Sequence, residues 1–119
     1  MNSEESKKVD RYCGAVLGAA VGDALGAGYE FTNPHEDERI EMIGGGSFDW
    51  APGEWTDDTQ MSLAVLSALA EDDISILPVA ENFLEWYDSD PPDIGNQTRS
   101  VLSAAETPDA LEATAVAFL

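Results

Sequence analysis

The segment TDDTQMSLAVLSALAE, residues 56–71, carries the clearest helical signal in the chain. Met61, Ala64, Val65, Ala68 and Leu69 recur at the i, i+3, i+4 spacing that places apolar side chains on one face of an α-helix. Thr56, Asp57 and Asp58 stand at its start, where side-chain oxygens cap orphan amides and negative charge meets the positive end of the helix dipole. Working outward, an earlier apolar segment runs from Val9 to Gly26, with Tyr12, Ala15, Val16, Ala19 and Ala20 in helical register. A third helix is predicted over Leu77–Tyr87, with Pro78 in its first turn and a buried face of Val79, Phe83, Trp86 and Tyr87. A fourth covers Thr98–Ala105. Thr107-Pro108-Asp109 opens a fifth, with Thr107 as cap and a stripe of Leu111, Ala115 and Phe118. Its run into Ala117-Phe118-Leu119 leaves an apolar face that needs a cover, either a partner or further chain. Between the helices, Asn33–Gly53 and Asp88–Gly95 read as loops, rich in Gly and Pro turn signals. A loop of about twenty residues inside a compact domain is often functional. A short strand is compatible with Ile40–Ile43.

The chain has 119 residues, enough for one domain at most. Its 24 acidic residues against 5 basic ones give a net charge of −19. With 44% apolar residues it is not a disordered acidic tail. Lys7, Lys8, Arg11, Arg39 and Arg99 are too few to grip nucleic-acid phosphates or an anionic membrane. The acids are dispersed and interleaved with apolar residues. That pattern fits a halophilic protein, one that works in concentrated salt, where screening relieves self-repulsion and net charge maintains solubility. Poor folding in dilute buffer is the expectation. The single cysteine, Cys13, excludes an internal disulfide and reads as a small buried hydrophobe. No signal peptide is recognisable, and the most apolar stretch, Ala15–Val21, falls far short of the ~20 residues that span a bilayer. A cytoplasmic location is expected.

Gly14, Gly18, Gly22 and Gly26 recur every four residues in the first helix. Each costs about 1 kcal/mol of helix stability relative to Ala, so four on one face predict close backbone packing against another helix or a ligand. Asp23, set among small and apolar residues, reads as a buried acid held by hydrogen bonds for structural reasons. Thr56-Asp57-Asp58 offers a hydroxyl and two carboxylates at a helix start, where the backbone lets them converge. Such hard oxygens suit Mg²⁺ or Mn²⁺, and plain capping is the alternative. In Asp93-Ile94-Gly95-Asn96-Gln97-Thr98, Asp93 can accept a hydrogen bond from a ligand and Gly95 admits a close backbone approach. An ordinary turn and cap is the alternative. Glu30 is a ligand carboxylate or a solvated acid. His35 reads as a surface residue and Asp88-Ser89-Asp90 as a solvated turn. Gly44-Gly45-Gly46 has no following Gly-Lys-Ser/Thr and is not a phosphate loop.

In combination these phrases are far more specific. Gly14-Ala-Val-Leu-Gly18-Ala-Ala-Val-Gly22-Asp23-Ala24-Leu25-Gly26, then Glu30-Phe31, then Gly53-Glu54-Trp55-Thr56-Asp57-Asp58-Thr59-Gln60-Met61, then Asp93-Ile94-Gly95-Asn96-Gln97-Thr98 follow in the order found in the ADP-ribosylglycohydrolase family. The chain resembles the N-terminal part of that family, which includes the dinitrogenase reductase-activating glycohydrolases, from about Val9 to Val101.

The resemblance implies an all-α fold of orthogonally packed helices with two Mg²⁺ or Mn²⁺ ions in a cleft. It implies that Thr56, Asp57 and Asp58 are metal ligands and that Glu30 lies at the cleft. It places Asp93, Gly95 and Asn96 on the ADP-ribose side. The implied reaction is metal-dependent hydrolysis of the glycosidic bond joining ADP-ribose to a protein side chain, with Glu30 or Asp93 assisting proton transfer. The implied partner is an ADP-ribosylated protein or ADP-ribose. Family members carry a second ligand cluster, Asp-x-Asp-Thr/Ser, in a C-terminal half that this sequence lacks. An active site would then need self-association or a complementary C-terminal chain. The alternative is an inactive N-terminal fragment, or a non-enzymatic module that binds metal or ADP-ribose.

Overall fold

The structure is a computed structural model that describes residues 2–70 and 75–119. Among the described residues there are five α-helices and no strand, so the fold is all-α as expected. The chain divides into two compact units, Met1–Thr59 and Gln60–Leu119. No helix among the described residues is long and apolar enough to cross a membrane.

The first unit opens with α1, Ser3–Gly26. It starts well before Val9 because Asn2 and Glu5 form a reciprocal cap. Asn2 Oδ1 accepts from the amides of Glu4 and Glu5 at 3.0 and 2.9 Å, and Glu5 Oε2 accepts from the Asn2 amide at 2.7 Å. The polar composition of this stretch hid the helix from a periodicity reading, since an exposed helix has no apolar face to show.

Among the described residues no helix covers the glycine stripe of α1: a Cβ added at Gly14, Gly18, Gly22 or Gly26 would meet nothing within 4 Å. Cys13 is exposed rather than the buried hydrophobe expected. Only near its end does α1 become buried, at Ala24.

A 3₁₀ turn, Ala27–Tyr29, leads into the loop predicted from Asn33. The strand with which Ile40–Ile43 is compatible does not form. The Ile43 amide donates locally to the Glu41 carbonyl at 2.8 Å, and the Glu41 amide donates to the Tyr29 hydroxyl at 3.2 Å. A strand needs a partner ladder, and these donors are spent on a tight turn and on a side-chain hydroxyl.

What fixes the loop is Gly44. Its φ is +64°, and a Cβ there would collide with the Trp50 carbonyl oxygen. Gly28 packs on Gly44 as well, where an added Cβ would collide with the Gly44 carbonyl oxygen. Gly45 and Trp50 then exchange two backbone hydrogen bonds, at 2.7 and 3.0 Å. Trp50 is buried, and its ring lies 6.0 Å from that of Phe48, which lies 6.5 Å from Phe31.

The second helix, α2, is Asp57–Leu69. Its predicted end at Glu71 lies outside the described residues. Its first turn belongs to the first unit and the remainder to the second. The second unit adds α3 (Ile76–Asp88), α4 (Asn96–Ala104) and α5 (Pro108–Ala117), close to their predicted bounds. Pro108 occupies the first turn of α5, but the Thr107 side chain makes no capping hydrogen bond.

The core of this unit is Ala80, Ile94, Leu102, Ala105 and Leu111, with Phe83, Leu84, Trp86, Tyr87 and Val101 packed against it. Within the same unit α2 is tied to α3 by Asn82 Nδ2, which donates to the Ala64 carbonyl at 2.9 Å. Trp86 Nε1 donates to Gln60 Oε1 at 2.7 Å. An apolar groove of about 410 Å³ runs over α3, α4 and α5, between Val79, Phe83, Val101, Leu111 and Ala115. Of the predicted α5 stripe, Leu111 is buried in this core and Ala115 is half-buried, so most of the stripe is covered, while Phe118 is exposed together with Val116 and Leu119.

Candidate metal centre at the start of α2

An α-helix begins with amides that have no partner in the preceding turn. A local Ser, Thr or Asp side chain usually satisfies them. In α2 the oxygens come instead from Asp23 of α1, 33 residues earlier. Asp23 Oδ2 accepts from the Thr56 amide at 2.9 Å, the Thr59 amide at 3.1 Å and the Thr59 hydroxyl at 2.5 Å. Asp23 Oδ1 accepts from the Thr56 hydroxyl at 2.6 Å. Thr56 therefore donates its hydroxyl proton to Asp23, where the sequence suggested a residue that caps with its own oxygen. Both threonines are buried.

The buried acid expected at position 23 is half-buried, and its hydrogen bonds are real. Burial pushes the Asp23 carboxyl pKa up. The four hydrogen bonds from Thr56 and Thr59 outweigh burial and hold it below the ordinary carboxylate value.

Asp57 and Asp58 follow directly in the first turn of α2, where the helix dipole favours negative charge. Asp57 is half-buried and Asp58 exposed. With Thr56 they place three hard oxygen donors on one turn, a set chemically suited to Mg²⁺ or Mn²⁺. No three His, Cys, Asp or Glu side chains come together among the described residues. Two carboxylates and a hydroxyl would give such an ion three of its roughly six oxygen ligands, so the donor set fits by type and by half in number.

Glu30 also belongs to the first unit, half-buried just after the 3₁₀ turn. It is followed by Phe31, whose φ of +61° is unusual for a bulky residue. Asp93, Gly95 and Asn96 belong to the second unit. Asp93 is half-buried on the approach to α4, Gly95 immediately precedes that helix and Asn96 is its first residue.

The fold makes no demand for glycine at position 95. Its φ is −58°, and an added Cβ would meet only Thr98 Oγ1, at 3.8 Å. His35 and the Asp88-Ser89-Asp90 turn are exposed, as predicted. Sequence reasoning missed Thr59, whose contribution depends on an acid 36 residues away and leaves no local signal.

Residues 4–116 match the ADP-ribosylglycohydrolase family. The chain is 44% identical over 96 residues to an ADP-ribosyl-[dinitrogen reductase] glycohydrolase of Rhodospirillum rubrum, covering 76% of this chain and 33% of that protein. It is 38% identical over 106 residues to an ADP-ribosylarginine hydrolase of Serratia proteamaculans, covering 82% of this chain and 29% of the relative. Among solved structures, an ADP-ribosylglycohydrolase-related protein complex superposes with a TM-score of 0.67 at 37% identity, covering 85% of this chain and 35% of that one. The chain thus spans about a third of the length of the relatives it matches.

Proposed function

The chain belongs to the ADP-ribosylglycohydrolase family, and from that premise we propose that it forms the part carrying the first metal-ligand cluster of a hydrolase that releases ADP-ribose from modified protein side chains. Relatives named for ADP-ribosylarginine and for modified dinitrogen reductase support a protein-linked ADP-ribose substrate, with arginine as the linkage. The single observation that carries the reading is the start of α2: Thr56, Asp57 and Asp58 on one turn, anchored to α1 through Asp23.

In this reading Thr56, Asp57 and Asp58 hold Mg²⁺ or Mn²⁺. When bound, such an ion supplies positive charge that orients ribose hydroxyls and a water and lowers that water's pKa. Glu30 and Asp93 are the carboxylates that move a proton as the glycosidic bond breaks. Gly95 leaves room for ADP-ribose against the backbone, and Asn96, with both donor and acceptor atoms, binds it.

The test is release of ADP-ribose from ADP-ribosylated arginine and serine peptides in molar salt with Mn²⁺ or Mg²⁺. The chain is compared with an Asp57→Ala/Asp58→Ala variant. Metal-dependent release, faster from arginine and abolished in the variant, is expected when self-association or a complementary chain completes the site. A second reading is a non-enzymatic module that binds metal or ADP-ribose. That reading predicts no release and retained ADP-ribose binding, measured by calorimetry on the folded chain.

A further inference from the structure

We propose that Asp23 is a positioning residue for the metal site, acting through Thr56. This inference rests on the reading of Thr56, Asp57 and Asp58 as metal ligands. An ionised carboxylate can only accept hydrogen bonds, so every proton in this cluster points from a threonine to Asp23. For the two amides this is capping. For the Thr56 hydroxyl, bonded to Oδ1 at 2.6 Å, it does more. A threonine oxygen ligates a cation through a lone pair, and a hydroxyl whose proton rotates freely presents a lone pair only part of the time. Donation to Asp23 fixes the rotor, so that the proton is turned to Asp23 and the lone pairs are left to other partners.

The same carboxylate holds the backbone of Thr56 through its amide and the end of the first turn through Thr59. The residues between them, Asp57 and Asp58, are thereby fixed relative to α1. Partners of this kind, which orient a ligand without touching the ion, typically control metal affinity by about 10–100-fold.

Thr59 provides an internal control. Its amide and hydroxyl both bond to Asp23 Oδ2, yet it is not in the ligand set. Loss of its hydroxyl weakens the cap without freeing the Thr56 rotor. A merely structural Asp23 would make the two positions equivalent.

The experiment measures Mn²⁺ binding by the loss of the free-ion electron paramagnetic resonance signal, in molar KCl, alongside metal-free thermal unfolding. Asp23→Asn keeps the shape but puts N–H donors where an acceptor stood, and Asp23→Glu keeps the charge but displaces both oxygens. The second variant stands in if the first does not fold. We expect Asp23→Asn or Asp23→Glu to lower Mn²⁺ affinity at least about tenfold, and Thr59→Val to lower the melting temperature while leaving affinity within about threefold.

Equal loss of affinity in the Asp23 and Thr59 variants, in proportion to lost stability, would overturn the proposal. So would wild-type affinity in the Asp23 variants. The metal reading fails separately, and takes the proposal with it, if the unmodified chain binds no Mn²⁺ or if Asp57→Ala/Asp58→Ala binds as well as the unmodified chain.

Discussion

The two units of the chain are held together by different physics. The second has a cluster of buried apolar side chains drawn from three helices and the approach to α4, the ordinary arrangement of a small helical core. The first is organised by close backbone contacts and by one carboxylate. Gly28 and Gly44 approach one another, Gly45 pairs with Trp50, and Asp23 gathers four protons from Thr56 and Thr59. Apolar burial is redundant, since a lost methyl group is one among many. Glycine contacts and a multiply bonded carboxylate are not, because each has no substitute. The unit with the candidate ligands is therefore the one more easily broken at a single position.

The sharpest way to break this comparison is Gly44→Ala. The left-handed φ alone costs about 1–3 kcal/mol, and the contact with the Trp50 carbonyl adds to it, since backbone cannot move aside. Urea unfolding followed by the amides of each unit separately should show a loss of about 3 kcal/mol or more confined to residues 2–59. A loss below about 1 kcal/mol would mean that the loop is not held at this point. Leu111→Ala is the matching test in the second unit. It borders the open groove, so the cavity it leaves is partly solvated, and about 2–3 kcal/mol is expected, at the low end for buried leucine.

A third test uses acid. The folded pKa of Asp23 lies below its unfolded value, which is near 3.9. The stability it contributes is therefore fully present above that unfolded value and is lost as pH falls through the lowered folded value. In acid titrations the first unit should lose this contribution below about pH 4, and Asp23→Asn should flatten that dependence. An Asp23→Asn curve that parallels the unmodified chain would remove Asp23 as the anchor. The smallest expected effect on folding is at Gly95. Its backbone is one that alanine adopts, and an added Cβ would meet only Thr98 Oγ1 at 3.8 Å, while the N-cap position it holds disfavours alanine, so the two effects oppose and Gly95→Ala should change stability by less than about 1 kcal/mol. Its effect should fall instead on ADP-ribose binding, measured by calorimetry. Unchanged binding would return Gly95 to the role of a plain turn residue.

The helices of the second unit were legible because each shows apolar residues at helical spacing, as at Val79, Phe83, Trp86 and Tyr87. The early start of α1 was not legible by that route, since an exposed helix is specified by its cap and not by a stripe. The glycine spacing in α1 gives permission for close packing without stating what packs there, and no helix among the described residues does. The candidate ligands at Thr56, Asp57 and Asp58 were visible as a local group. What the chain does with them was not, because the anchor lies 33 residues away and only the fold brings the two together. Asp23 was noticed as an acid out of place among small residues, yet its partners could not be read from spacing.

The length of α1 has a kinetic consequence. Its 24 residues extend about 36 Å, and nearly all of the first two thirds is solvent-exposed. Asp23 sits in the last turn, beside the buried Ala24. Amides at the start of the helix should exchange with solvent through fraying that never reaches Asp23, while those of the last turn should exchange only when its grip on α2 is released. Exchange rates along α1 should therefore rise steeply away from Asp23, making this one helix a graded gauge of how often the candidate site opens.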